Sequence, residues 1–120
     1  QAARLEGVML NEKPFLDKKL TLGQLAASCG VSEHQLSRLL RMHYQSNFYE
    51  FVNGYRLKHV EKLILSPDNG QYKIMALAEE SGFNSKATFY KVFKEKHHTT
   101  PSQFIKQRSS QSPDYSQSGD

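Results

Sequence analysis

Residues 25–32 read LAASCGVS and residues 77–84 read LAEESGFN, so one pattern occurs twice in the chain at a spacing of 52 positions. One residue is then inserted, and apolar positions correspond again at a spacing of 53. These positions are Leu36, Leu39, Leu40 and Phe51 in the first copy and Phe89, Val92, Phe93 and Phe104 in the second. Such internal similarity indicates that one structural unit is built twice.

Each copy predicts two short helices joined by a tight turn. Ala26 and Ala78 are small residues, suited to the point where two crossing helices approach most closely. Gly30 and Gly82 follow four positions later, where a helix ends and the backbone favours a left-handed conformation that a side chain would penalise. The apolar residue after each glycine can pack into the core, and a nearby serine can cap the next helix. The repeat therefore predicts two helix-turn-helix units.

The rest of the chain is also helical in pattern, because apolar residues recur at spacings of three and four and rarely alternate. Several helix starts pair a capping residue with Gln or Glu three positions on, which can satisfy two backbone donors reciprocally. These pairs are Thr21–Gln24, Ser32–Gln35, Asn47–Glu50 and Thr100–Gln103. The predicted fold is all-α, a seven-helix domain of two helix-turn-helix units joined by a long central helix. The predicted helices span residues 3–12, 22–29, 33–43, 48–65, 74–81, 86–97 and 101–107.

The domain boundaries follow from this segmentation. One domain is predicted over residues 1–108, and residues 66–70 (SPDNG) are expected to break the chain between its halves. Its parts are a first unit at about 21–45, a connector helix at about 47–66 and a second unit at about 73–108. Residues 109–120 contain no aliphatic side chain, so they cannot offset their ordering entropy by burial, and we expect a disordered tail.

Composition limits the classes of function. The chain is 38% hydrophobic, with a formal net charge of +4 and a pI near 9.2, a mild excess that favours a polyanionic partner. Cys29 is the single cysteine, which excludes an intramolecular disulfide and suits a reducing cytoplasm. No apolar run approaches the roughly 18 residues of a membrane span. We therefore expect a cytoplasmic, nucleoid-associated domain, and its start at Gln1 suggests a piece of a longer protein.

The second helix of each unit is predicted to expose a polar face that can enter the major groove of duplex DNA. The outward residues are Glu33, His34, Ser37, Arg38 and Arg41 in the first unit and Lys86, Ala87, Tyr90, Lys91 and Lys94 in the second. Arg38 can bond guanine bidentately, whereas Lys91 is a flexible point charge better suited to phosphate. The connector would span about 27 Å at 1.5 Å per residue. We therefore expect helices 33–43 and 86–97 to reach adjacent major grooves.

These residues resemble a known family. The stretch from Pro14 to Lys106 resembles the C-terminal DNA-binding domain of AraC/XylS transcription regulators. The second unit resembles the family through Ala78, Gly82, Phe83, Ser85, Phe89, Lys91, Phe93 and Lys94, followed by Thr100, Pro101 and Phe104. The first unit and connector are similar to it through Leu22, Leu25, Ala26, Ser32, Leu36 and Arg38, and through Phe51, Val52, Asn53, Arg56 and Leu57.

The resemblance implies sequence-specific binding of promoter DNA and regulation of transcription, with activation or repression left open. It implies reading positions at His34, Ser37, Arg38, Lys86, Ala87, Thr88 and Lys91. It also implies RNA polymerase as a partner and a sensing or dimerising domain elsewhere in the full-length protein, which in some relatives is membrane-anchored. Many members carry glycine where this chain has Gln45 and His98, which predicts other backbone conformations in those turns.

No catalytic constellation, cofactor motif or metal site is predicted. His97 and His98 are adjacent at a helix end without a cysteine or third ligand nearby, so a helix-terminal role is favoured. Cys29 precedes the turn glycine and is interpreted as a small core residue rather than a nucleophile. The chain is therefore not predicted to be an enzyme, and a modifying activity built on Cys29 ranks last.

Two alternatives stay open at this point. Arg56 is expected to pair with an acid such as Glu79 or Glu80, with a phosphate contact as the alternative. One or both units could also serve as a protein-interaction module, since helix-turn-helix scaffolds pack against partner proteins too.

Overall fold

A computed structural model describes residues 2–65 and 73–107 of the chain. The helices are α1 (Ala2–Asn11), α2 (Leu22–Cys29), α3 (Glu33–Tyr44), α4 (Phe48–Leu65), α5 (Ile74–Glu80), α6 (Lys86–His97) and α7 (residues 101–107). Within these residues the all-α prediction is confirmed, and each predicted helix is found within one residue of its expected ends. A 3-10 turn, Pro14–Leu16, was not predicted. The predicted chain break at 66–70 and the predicted tail at 109–120 lie outside the described residues.

The reciprocal caps form as predicted. The Thr21 hydroxyl accepts a bond from the Gln24 amide at 3.1 Å, while the Gln24 side chain accepts one from the Thr21 amide at 3.0 Å. The same two-way exchange occurs in the pairs that begin α3, α4 and α7. Each cap satisfies donors that the first helical turn leaves unpaired, and so each sets a helix start locally.

The two copies of the repeat form equivalent turns. Gly30 has a φ of 73° and Gly82 a φ of 104°, both in the region that favours glycine. The Val31 amide donates to the Ala26 carbonyl at 3.0 Å, and the Phe83 amide donates to the Ala78 carbonyl at 3.1 Å. Because the same hydrogen bond closes both turns, the repeat found in the sequence is also a repeat in the structure.

Helix α4 is shared by two hydrophobic cores. Phe51 and Val52 in its first half pack with α1, α2 and α3, whereas Leu57 and Val60 in its second half pack with α5 and α6. Leu36 and Leu40 of α3 and Phe89 and Phe93 of α6 are fully buried, as predicted. Leu39 and Val92, also predicted to point inward, are only half-buried.

The turns after α3 and α6 keep the left-handed conformation without glycine. Gln45 has φ 50° and ψ 40°, and His98 has φ 60° and ψ 24°. The prediction that these positions adopt another conformation is therefore wrong. The Gln45 amide donates to Arg41 and the next amide to Leu40, both at 3.2 Å, while the His98 amide donates to Lys94 at 2.8 Å. Satisfying these helix-end carbonyls offsets a steric penalty of about 1–2 kcal/mol.

Gln45→Gly is expected to raise the free energy of unfolding by about 0.5–1 kcal/mol, because glycine adopts the left-handed turn without steric penalty. The gain is net of the side-chain bond from Gln45 Nε2 to the Met42 carbonyl, which the substitution removes. Urea denaturation of parent and variant measures the difference. Gln45→Ala is the matched control, since it loses the same bond but keeps the penalty; equal gains in both variants would contradict the explanation.

Candidate nucleic-acid interface

Helix α3 presents a cationic surface with an apolar edge. His34, Arg38 and Arg41 are exposed as predicted, whereas Ser37 is half-buried. A shallow depression on this face is lined by Gln35, Arg38, Leu39 and Met42. The Met42 side chain is 69% exposed. Leu39 and Met42 were not predicted to lie on this exposed face. Met42 follows Arg38 by four residues, so the two side chains share one face of the helix.

Helix α6 presents the second predicted surface. Lys86, Ala87, Lys91 and Lys94 are exposed, and Lys91 and Lys94 line a shallow depression with Glu95 and His98. Thr88 is half-buried; its amide donates to the capping Ser85 hydroxyl at 3.0 Å, and its own hydroxyl accepts from Ser85 at 2.8 Å. Thr88 therefore helps to form the start of α6, and its hydroxyl keeps one proton and one acceptor lone pair for a ligand.

The cations on these two faces lack internal partners. In the described ranges 2–65 and 73–107, no ion pair involves Arg38, Arg41, Lys91 or Lys94. Lys86 lies over the Tyr90 ring at 5.4 Å, a contact that leaves its positive charge uncompensated. Unpaired cations on two exposed helix faces suit phosphate oxygens and the acceptor atoms of base edges.

Arg56 of α4 bonds the segment before the first unit, and not the acid that was predicted as its partner. Its Nε donates to the Phe15 carbonyl at 2.7 Å, and its Nη2 donates to the Asp17 carbonyl at 2.8 Å. The pairing predicted with Glu79 or Glu80 is absent, and Glu79 instead lies 3.8 Å from Lys18. Burial lowers the pKa of Arg56, and the nearby Asp17 charge opposes that shift. Arg56 thus satisfies the carbonyls of the 3-10 turn and is not a surface phosphate ligand.

Gly82 lies against the same 3-10 turn. A Cβ atom placed on Gly82 would be 2.1 Å from the Phe15 carbonyl oxygen and 2.7 Å from Arg56 Nε. The turn that leads into α6 therefore touches the backbone of the segment that leads into the first unit. This contact packs the turn before α6 against α4 and against the segment before the first unit.

Two further contacts attach α4 to the second unit. His59 Nδ1 lies 2.8 Å from the hydroxyl of buried Ser81, which donates to the Leu77 carbonyl. Glu61 accepts from Lys96 at 3.0 Å and lies 2.5 Å from His97 Nε2. His97 is the last residue of α6, as predicted, and its ring packs on Phe93 and Phe104. Among the described residues, no group of three or more His, Cys, Asp or Glu side chains is placed to hold a metal ion.

Cys29 is a core residue, as predicted. Its side chain is 3% exposed, and burial raises the pKa of its thiol, an effect that Arg4 partly opposes. A raised pKa disfavours the reactive thiolate.

No helix in the described part of the chain is long and apolar enough to cross a membrane.

Comparison with known proteins agrees with this geometry. The profile of a family described as "Helix-turn-helix domain" matches residues 25–107. An uncharacterised HTH-type transcriptional regulator of Staphylococcus aureus strain COL is 32% identical over 85 residues, which is 71% of this chain and 11% of that protein. The chain thus spans about a tenth of the length of the curated relatives it matches.

Solved structures share the fold. A DNA-binding transcriptional dual regulator from Escherichia coli K-12 superposes with a TM-score of 0.72 at 20% identity, over 89% of this chain and 90% of that one. The C-terminal domain of AraT, a response regulator from Geobacillus stearothermophilus, gives 0.70 at 23% identity, over 89% and 84%. With the duplicated turn, the family match shows that the chain belongs to the helix-turn-helix family, as the DNA-binding domain of an AraC-type transcriptional regulator, and the solved structures show the same fold.

Proposed function

We propose that this domain recognises promoter DNA in a sequence-specific manner by inserting α3 and α6 into adjacent major grooves. The observation that carries the proposal is the pair of equivalent turns, each followed by a helix with outward cations that form no ion pair among the described residues. These cations are Arg38 and Arg41 on α3 and Lys91 and Lys94 on α6. Both helices pack on the 18-residue α4, about 27 Å long at 1.5 Å per residue. Successive major grooves on one DNA face are about 34 Å apart, a distance that two helices on such a support can bridge.

The two helices are proposed to differ in their roles. Arg38 is an exposed guanidinium with apolar neighbours, Leu39 and Met42, that suit a thymine methyl group beside a guanine edge. Helix α6 carries Lys86, Lys91 and Lys94, whose flexible ammonium groups suit phosphate oxygens. We therefore infer that α3 supplies more of the base discrimination and α6 more of the salt-dependent affinity, with His34, Ser37, Arg41, Ala87 and Thr88 completing the contact surface.

Arg38→Ala and Lys94→Ala are expected to have different effects on DNA binding. Loss of Arg38 removes a bidentate contact, so discrimination at one or two base pairs should fall by about 1–3 kcal/mol. Loss of Lys94 removes a phosphate contact, so affinity should fall evenly across sequences and the slope of log affinity against log salt should decrease by about one. Titrations of a genomic binding fragment and its single-base variants, at several salt concentrations, measure both effects.

Four outcomes would contradict the proposal or one of its parts. If both variants bind like the parent, the proposed interface is wrong. Strong guanine contacts found only under α6 in a methylation-interference map would reverse the proposed roles of α3 and α6. A footprint covering only about half a helical turn would exclude insertion into adjacent grooves. Salt-independent binding would favour the alternative of a protein-interaction module.

The full-length setting is also a proposal. Similar domains are described as the C-terminal domains of response regulators, and the chain spans 11% of a curated relative. We infer that this domain acts in the cytoplasm within a longer regulator that carries a sensing or dimerising domain, and that it works beside RNA polymerase.

A further inference from the structure

A groove of about 540 Å³ lies between α1, the 3-10 turn and the second half of α4. Its floor includes Met9, Phe15 and Tyr55. Leu10 and Leu65 stand at its edges and are 71% and 50% exposed, respectively. Large exposed aliphatic side chains beside an apolar groove are typical of an interaction surface rather than of an ordinary solvated face.

The polar rim of this groove is positively charged. Lys13, Lys58 and Lys62 line it, and none of them forms an ion pair among the residues that the structure covers. Among the described residues that line the groove, the one carboxylate, Glu61, is already bonded to Lys96 and His97. Burial lowers the pKa of His59 in the same groove, and Lys13 and Lys62 lower it further, in agreement with a positive local potential.

The groove lies behind α6 with respect to the proposed DNA surface. Successive helical residues are turned by about 100°, so Lys96 is turned roughly 140–160° away from Lys91 and Lys94. Lys96 nevertheless bonds Glu61 at the rim of the groove. Lys13, Lys58 and Lys62 therefore do not belong to the proposed DNA surface of α6. Duplex DNA bound to that surface would leave the groove uncovered.

We propose that this groove docks an acidic amphipathic helix from a protein partner. The floor and the exposed leucines fit the apolar stripe of such a helix, with anchors at spacings of three, four and seven residues. Carboxylates beside that stripe would meet the unpaired rim lysines, so charge complementarity selects an acidic partner over a basic one. The site is separate from the DNA surface, and a partner bound here can be present together with DNA.

The test uses the full chain and two synthetic peptides of about 14 residues, roughly four helical turns each. Both carry leucine at positions i, i+3, i+4 and i+7; one has glutamate and the other lysine at the flanking positions. Amide chemical shifts map the binding surface, and titration gives the affinity. We expect the acidic peptide to bind at least about tenfold more tightly than the basic one and to shift amides of α1 and the second half of α4.

Matched charge reversals locate the site. Lys58→Glu with Lys62→Glu is expected to weaken the acidic peptide by about tenfold, because two rim attractions become repulsions. Lys91→Glu with Lys94→Glu makes the same change of charge on the proposed DNA surface of α6. This pair should leave the affinity for the acidic peptide within about twofold of the parent value. Four results would overturn the proposal. The first two are equal weakening of acidic-peptide binding by both charge-reversal pairs and amide shifts confined to α3 and α6. The others are equal affinity for the two peptides and no binding of the acidic peptide below about 1 mM.

Discussion

Gly82→Ala is expected to lower the free energy of unfolding by about 3 kcal/mol or more, because two penalties combine at this position. The first is conformational, since φ is 104° and an alanine side chain is strained there. The second is steric, because the new Cβ would be 2.1 Å from the Phe15 carbonyl oxygen, a backbone atom that cannot rotate aside. Urea denaturation monitored by circular dichroism measures the loss.

Gly30→Ala is the matched control for Gly82→Ala. Gly30 occupies the corresponding turn with a φ of 73°, but its added Cβ would meet only the flexible guanidinium of Arg4, at 3.3 Å. This variant is expected to lose about 1–2 kcal/mol, the conformational penalty alone. Equal losses in the two variants would show that the contact between Gly82 and the 3-10 turn adds nothing to stability.

The Gly82 substitution should also affect DNA binding at temperatures where the variant stays folded. Gly82 lies in the turn before α6, so relief of the clash with Phe15 requires α6 or the 3-10 turn to move. If both recognition helices bind at once, the variant should tolerate a one-base-pair change in half-site spacing better than the parent does. An unchanged spacing preference would mean that this contact does not set the relative position of α3 and α6.

Arg56→Met is expected to cost about 3 kcal/mol of folding free energy, since the side chain has long-range partners that methionine cannot replace. The variant removes the Arg56 bond to the Phe15 carbonyl and one of the two bonds to the Asp17 carbonyl, which the Leu20 amide also reaches at 3.2 Å. Arg56 itself is only 9% exposed. Arg56→Lys should fall between parent and Arg56→Met, because one ammonium group cannot reproduce the planar fork that reaches both carbonyls. Chemical denaturation of the three proteins gives this ranking.

Arg41→Met provides the comparison on the surface of α3, where the arginine is exposed and is expected to contribute little to folding. A phosphate-binding role for Arg56 predicts the reverse result: Arg56→Met would keep its stability and lose DNA affinity with a reduced salt slope. Equal stability of Arg56→Met and Arg41→Met would show that water or a small backbone shift satisfies both carbonyls.

The features predicted correctly from sequence depend on contacts between residues close together in the chain. A capping pair such as Thr21 and Gln24 joins residues three positions apart, and the turn at Gly30 is closed by a hydrogen bond over five positions. Such contacts form whenever the segment is helical, whatever packs around it. The duplicated pattern also predicted correctly that Leu36, Leu40, Phe89 and Phe93 are buried, because apolar residues at helical spacing lie on one face of each helix.

The features that were missed depend on packing between distant parts of the chain. Arg56 bonds carbonyls 41 and 39 positions away, and those partners exist only once the 3-10 turn is held against α4. The lysine-rimmed groove likewise needs α1 and α4 side by side. Gln45 is an exception, because its left-handed conformation is stabilised by local bonds from its amide and the next one to carbonyls of α3. Helix identity and the exposed faces of α3 and α6 were thus encoded locally. Tertiary packing decided how the two units contact each other, because buried polar groups take whichever partners the assembled fold brings within reach.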